Sequence, residues 1–308
     1  MELTIQHNTF PLRQAQASKI RSAILRVLLY FDIFDYPLTA FEIFENSHNH
    51  SNTLAETVKE LKMLESLGII SKTGNFYYLQ GRKAISCSRP KMNELAESFF
   101  PMARRMSRLI SYFPFVEGIF ITGSLAKNCM YPNGDIDYFI ITKPGRLWLC
   151  RGALTFFKKV FLLNSKKYFC VNYYVDTASL AIPDKNIFTA TEIIFAKATY
   201  NASTCRDFFT ANKWIFDYYP NKEFPDLSWL GKPNKSILKY TLEKIFGGYL
   251  GEKADSLLFK IFVGRWKKKF RHLPAEAFEI NFRSSRNISK HHTNGYQTKI
   301  CRNLKNEF

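Results

Sequence analysis

Apolar residues recur at helical spacing through IRSAILRVLLYF, at Ile20, Ile24, Leu25, Val27, Leu28 and Phe31, and predict a helix that ends before Pro37. Thr39-Ala-Phe-Glu42 has the form of a capping box, in which the Thr and Glu side chains satisfy each other's orphan backbone donors, and a short second helix should start there. Thr53-Leu-Ala-Glu56 repeats the signature and opens a third helix with Leu54, Val58, Leu61, Leu64 and Leu67 on one stripe. Gly68 stands where a helix C-terminus favours glycine. The runs IIS and FYYL, separated by KTGN, then read as a β-hairpin. Three helices followed by a hairpin is the order of a winged helix-turn-helix over residues 1–85.

From residue 86 to 225 the pattern alternates. Lys91 to Tyr112 reads as a helix, GIFITGS as a strand, LAKNCM as the start of a helix, and DIDYFIIT as a second strand. KPGRLWLCRGALTFFKKVFLL is a turn followed by a basic amphipathic helix. KKYFCVNYYVD, rich in aromatic and β-branched residues, is a third strand. TATEIIFAKATY and DFFTANKWIFDYY have helical spacing. The expected class is α+β: a mixed sheet with flanking helices, preceded by the three-helix unit. A third region, 226–308, is basic and helical; from residue 231 it holds seventeen Lys and Arg against six Asp and Glu. Its segment SLLFKIFVGRWKKKF (256–270) could lie on a membrane surface, contact phosphates or pack its apolar side on the domain, which is the commonest outcome. The tail after it reads as partly loose or as a closing helix.

Composition adds one large fact. The formal net charge is +18, against a 46% hydrophobic and 16% aromatic background that can bury a substantial core. Such an excess suggests an anionic partner: a nucleotide, nucleic acid, an acidic protein or a membrane surface. It is also compatible with a simple solubility role. The third helix argues against base-specific DNA reading, because Glu56, Lys59, Glu60, Lys62 and Glu65 leave it slightly acidic where a recognition helix needs cations. The six cysteines lack CxxC spacing and read as reduced thiols; His48, His50, His291 and His292 read as surface residues without metal-ligand partners. No signal-peptide shape and no apolar run of bilayer length is found, so a soluble, cytoplasmic protein without a transmembrane segment is expected.

The candidate chemistry lies in ITGSLAKNCMYPNGDIDYFIIT, residues 121–142. Asp135 and Asp137 are two apart at the head of an apolar strand, so both project from one side. Two carboxylates that close repel unless a cation sits between them, and Mg²⁺ prefers such oxygen donors. The Gly123-Ser124 pair ends the preceding strand where a helix begins. Backbone N–H groups there, with glycine allowing close approach, suit a phosphate. Lys127, one turn on, could reach that phosphate or stand in solvent; Arg146 and Arg151 are further basic candidates. An Asx-turn would explain one aspartate but not the pair.

This order of apolar strand, Gly-Ser, short helix and Asp-x-Asp on the next strand resembles the nucleotidyltransferase superfamily typified by DNA polymerase beta. With the N-terminal unit, the chain also looks like bacterial nucleotidyltransferase-domain proteins. The resemblance implies metal-dependent transfer of a nucleoside monophosphate from an NTP to an acceptor hydroxyl, with release of pyrophosphate. Gly123 and Ser124 would hold the terminal phosphates, and Asp135 and Asp137 would bind Mg²⁺ or Mn²⁺. The acceptor could be a small molecule, RNA or a protein, with RNA favoured slightly by the basic C-terminal region. A third carboxylate normally completes such a site. Asp176 at the end of the third strand is the first candidate, Glu192 from a helix the second, and mid-strand Asn172 occupies the position where the acid is expected. Its absence would leave a nucleotide-binding regulatory protein without turnover, using the winged helix for partner or nucleic-acid binding.

Overall fold

The computed structural model describes residues 9–48, 52–228, 230, 236–292 and 295–306; the first eight residues and His50 lie outside the described residues. The chain divides into two compact units. One comprises residues 1–91, 214–223 and 302–308, the other residues 92–213 and 224–301. The three segments expected from the sequence are thus redistributed: most of 226–308 belongs to the second unit.

In the first unit, α1 (Thr9–Asp32), α2 (Ala40–Glu45) and α3 (Leu54–Ser66) precede β1 (Ile70–Thr73) and β2 (Phe76–Leu79). Both capping boxes form: Thr39 accepts from the Glu42 N–H at 3.2 Å while its own N–H donates to the Glu42 carboxylate at 2.8 Å, and Thr53 and Glu56 do the same. β1 and β2 pair antiparallel around Gly74-Asn75, with Gly74 at φ 58°, the sign a glycine-led two-residue turn requires. The α3 stripe is rotated from its expected position. Leu61 and Leu64 are buried, but Leu54 and Leu67 are exposed, and Thr57 and Glu60 turn inward instead. Glu60 is held there by Arg21 at 2.5 Å, so an ion pair rather than a leucine fixes the helix face.

The second unit is built on a five-stranded mixed sheet. Its strands are β3 (Val116–Thr122), β4 (Asp137–Thr142), β5 (Cys170–Asp176), β6 (Lys197–Tyr200) and β7 (Ile288–Lys290), in the spatial order β6-β3-β4-β5-β7. β4 and β5 are parallel; every other neighbouring pair is antiparallel. α4 (Lys83–Ser111), α5 (Gly123–Ala126), α6 (Leu147–Phe161), α7 (Ile187–Ile194), α8 (Ala202–Ala211), α9 (Ile237–Ile245), α10 (Tyr249–Lys269), α11 (Ala275–Phe282) and α12 (Tyr296–Asn306) complete the helices, with a short 3₁₀ turn at Lys213–Asp217. Along the central strands, alternate side chains serve two layers. Tyr138, Ile140 and Tyr174 join Trp148 and Trp266 in one core, while Phe120 and Phe139 stack with Phe208 on the other side. The sheet and helices confirm the α+β class.

Two expectations fail here. KATY, read as helix, is edge strand β6, because burial alternates along it in the period of a strand. The polar tail supplies strand β7 before its closing helix α12. The 256–270 segment packs: Phe259, Phe262 and Trp266 of α10 meet Trp148 of α6. No helix among the described residues is long and apolar enough to cross a membrane.

Candidate metal and phosphate site

β3 and β4 pair so that Thr122 stands opposite Asp137, which brings the Gly-Ser turn against the aspartates. Gly123 takes φ 69°, and a Cβ there would fall 2.5 Å from Asp137 Oδ2. Glycine is therefore required twice, by backbone conformation and by the carboxylate pressed against it. The turn continues as the short helix α5, four residues long, which is capped at Lys127. Asn128 at φ 56° ends it. Thr122 makes no side-chain cap bond, so any anion at this turn would be met by backbone N–H groups rather than by a long helix dipole.

Asp135 and Asp137 converge as expected, Asp137 as the first residue of β4 and Asp135 in the chain just before it. Their carboxylates and the Cys170 thiol place ligand atoms within 4.8 Å of one another. The Asp137 carboxyl is pushed up to about 8, first by burial, then by the negative charges of Asp135 and Glu192. The Cys170 thiol is pushed up as well, by burial and by Asp137 and Asp135. It stays protonated and acts as a hydrogen-bond donor, reaching Asn172 Oδ1 at 3.2 Å. The donor set fits a hard divalent cation: carboxylate oxygens face one another with their charge only partly compensated, and a cation between them removes the repulsion that raises Asp137.

Three residues were candidates for completing the set. Asp176 cannot do so. Because β4 and β5 run parallel, Asp137 pairs with Cys170 at one end and Asp176 pairs with Thr142 at the other, about 17 Å away at the rise of a strand. Asp176 is fully buried and accepts from the Gly145 N–H at 3.4 Å and the Ala178 N–H at 3.1 Å; it ties down two turns. Asn172 does touch the pair: its Nδ2 donates to Asp137 Oδ1. It sits at a bulge in the β4–β5 register, between Val171 and Tyr173. Glu192 of α7 is close enough to raise Asp137, and Lys127 Nζ binds its Oε1 at 2.5 Å and the Gly123 carbonyl at 3.3 Å. Lys127 is thus paired, not solvated.

Arg146 lies outside this group, donating to the carbonyls of Phe246, Gly247 and Gly248. Arg151 is buried against Phe262 and Trp266 of α10. Cys170 went unnoticed in the sequence because it belongs to no cysteine motif; its place two residues before Asn172 on the same strand face is the signal that could have found it. His291 and His292, expected at the surface, are half-buried. Burial lowers them to about 3 and about 4 respectively. His291 donates its backbone N–H to the Asn172 carbonyl at 3.0 Å, beside the site.

No family model, curated protein or solved structure matches the chain.

Proposed function

We propose that the chain is a Mg²⁺-dependent nucleotidyltransferase. The observation that carries this reading is the contact between the Gly-Ser turn and the aspartates: Gly123 has no room for a side chain because Asp137 fills it. A phosphate held by the turn would therefore lie beside the two carboxylates. Bound there, a divalent cation would neutralise charge on the transferred and leaving phosphates. Asp135 and Asp137 hold it, Gly123 and Ser124 orient the terminal phosphates, and Glu192, positioned by Lys127, contributes the nearest third carboxylate. The three-helix and hairpin unit is read as a winged helix-turn-helix that docks a partner. Incubation with Mg²⁺, α-³²P-labelled NTPs and candidate acceptors tests the reading: transfer or pyrophosphate release lost in Asp135→Ala and Asp137→Ala supports it.

A second reading, binding of a nucleotide without turnover, is favoured by Asn172. An amide can lend its carbonyl oxygen to a cation but cannot take a proton from an acceptor hydroxyl. Saturable nucleotide binding with no transfer to any acceptor would favour it over the first.

A further inference from the structure

Arg146, which precedes α6, and Arg151, within its second turn, live in opposite circumstances. Arg146 spends its guanidinium on four carbonyls. Arg151 is 6% exposed, and its Nε and Nη1 have no hydrogen-bond partner. Among the described residues it pairs with no carboxylate. What surrounds it is aromatic: the guanidinium carbon lies 4.8 Å from the ring centre of Tyr174, 4.8 Å from that of Trp266 and 5.8 Å from that of Phe262. Ring faces offset part of the desolvation of a cation, but they accept no N–H bond of ordinary strength. A buried guanidinium with idle donors is costly unless an anion or another acceptor reaches it.

Lys158 and Lys166 add positive charge nearby, while His291, lowered to about 3 chiefly by burial, stands as a neutral imidazole. His291 packs on Trp266 at 5.0 Å between ring centres and feels the fields of Arg151 and Lys166. Lys158 feels those of Arg151 and Lys166. From Tyr138 to Val175 the chain carries no acid at all. These groups also share an end of the sheet with the metal site: Cys170 opens β5 beside Asp137, and His291 follows β7 next to Asn172.

We propose that Arg151, with His291, Lys158 and Lys166 around it, binds a phosphate group, at a position separate from the Gly-Ser turn and at the same end of the sheet. The reading above would make it a further phosphate site of that enzyme on the opposite face of the sheet: Arg151 packs on Tyr174 and Trp266, whereas Asp137 projects to the side of Phe139. The anion site stands on its own residues, however, and is tested without nucleotide.

Inorganic phosphate is titrated into the metal-free full-length protein by calorimetry, at constant ionic strength. Saturable binding is expected in the wild type and in Asp137→Asn. In Arg151→Met, which keeps the stem and removes the charge, affinity should fall about tenfold or more, the loss expected for a charge-assisted hydrogen bond. Arg151→Lys should recover part of it, and Lys166→Ala should weaken binding a few-fold while preserving the packed interior. The free Arg151→Met protein should be at least as resistant to heat as the wild type, because an uncompensated buried charge is gone. The proposal is overturned if the wild type shows no saturable binding, if Asp137→Asn abolishes it, or if Arg151→Met and Lys166→Ala both bind phosphate as the wild type does. Loss of NTP transfer with phosphate binding intact would remove the transferase reading and leave this site standing.

Discussion

The parallel pair β4–β5 has an aspartate at each end, and the two ends teach opposite lessons. Asp176 is wholly buried, yet backbone N–H groups of Gly145 and Ala178 point at it, so its charge organises two turns. Asp137 is paired with an amide and a thiol but faces the like charges of Asp135 and Glu192. At one end the fold satisfies a carboxylate; at the other it crowds carboxylates together and raises the Asp137 carboxyl to about 8. Crowding of this kind persists where binding compensates it.

The contrast gives its largest effect in the pH dependence of stability. Asp137 titrates at about 8 in the folded, metal-free protein, far above an unfolded aspartate. A raised folded value means the group's contribution is fully present below about pH 4 and is lost as pH rises through about 8. Asp137→Asn should remove that slope, so thermal unfolding at pH 8–9 without divalent cations should show the variant more stable, on the order of a few kcal/mol. A variant less stable than the wild type at pH 9 would break the comparison. Asp176→Ala should do the reverse: it removes the charged acceptor of two turn N–H groups, those of Gly145 and Ala178, and costs roughly 1–3 kcal/mol in denaturant melts, with cation affinity unchanged. Gly123→Ala should destabilise by about 1–3 kcal/mol through its left-handed backbone and the contact with Asp137, and should weaken cation binding because the carboxylate must move. A Gly123→Ala protein with wild-type cation affinity would show that the turn and the aspartates are independent.

Much of this was readable in advance, for local reasons. The capping boxes at Thr39 and Thr53 and the Gly74 turn are specified by neighbours in sequence, and the structure reproduces them; of the DIDYFIIT strand it reproduces the part from Asp137 onward. The spacing of Asp135 and Asp137 alone placed both carboxylates on one side. What sequence could not supply was strand direction. Period-two counting would put Asn172, Tyr174 and Asp176 on one face, but the bulge at Asn172 turns Tyr174 to the opposite core, and only the parallel pairing of β4 and β5 shows that Asn172 lies beside Asp137. Glu192 and Lys127 meet across 65 residues, and Arg21 with Glu60 across 39, by tertiary packing that no local pattern announces. KATY became a strand because an open edge of β3 was available to it, a tertiary override of a short ambiguous run.

The central claim is that the crowded end of the β4–β5 pair, and not the satisfied end, holds a divalent cation. Titration with Mn²⁺, followed by electron paramagnetic resonance of the free ion, addresses it directly. Saturable binding in the wild type and in Asp176→Ala, with loss in Asp135→Ala and in Asp137→Ala, is the predicted result. Undiminished binding in Asp137→Ala, or loss in Asp176→Ala of a protein that remains folded, would contradict it.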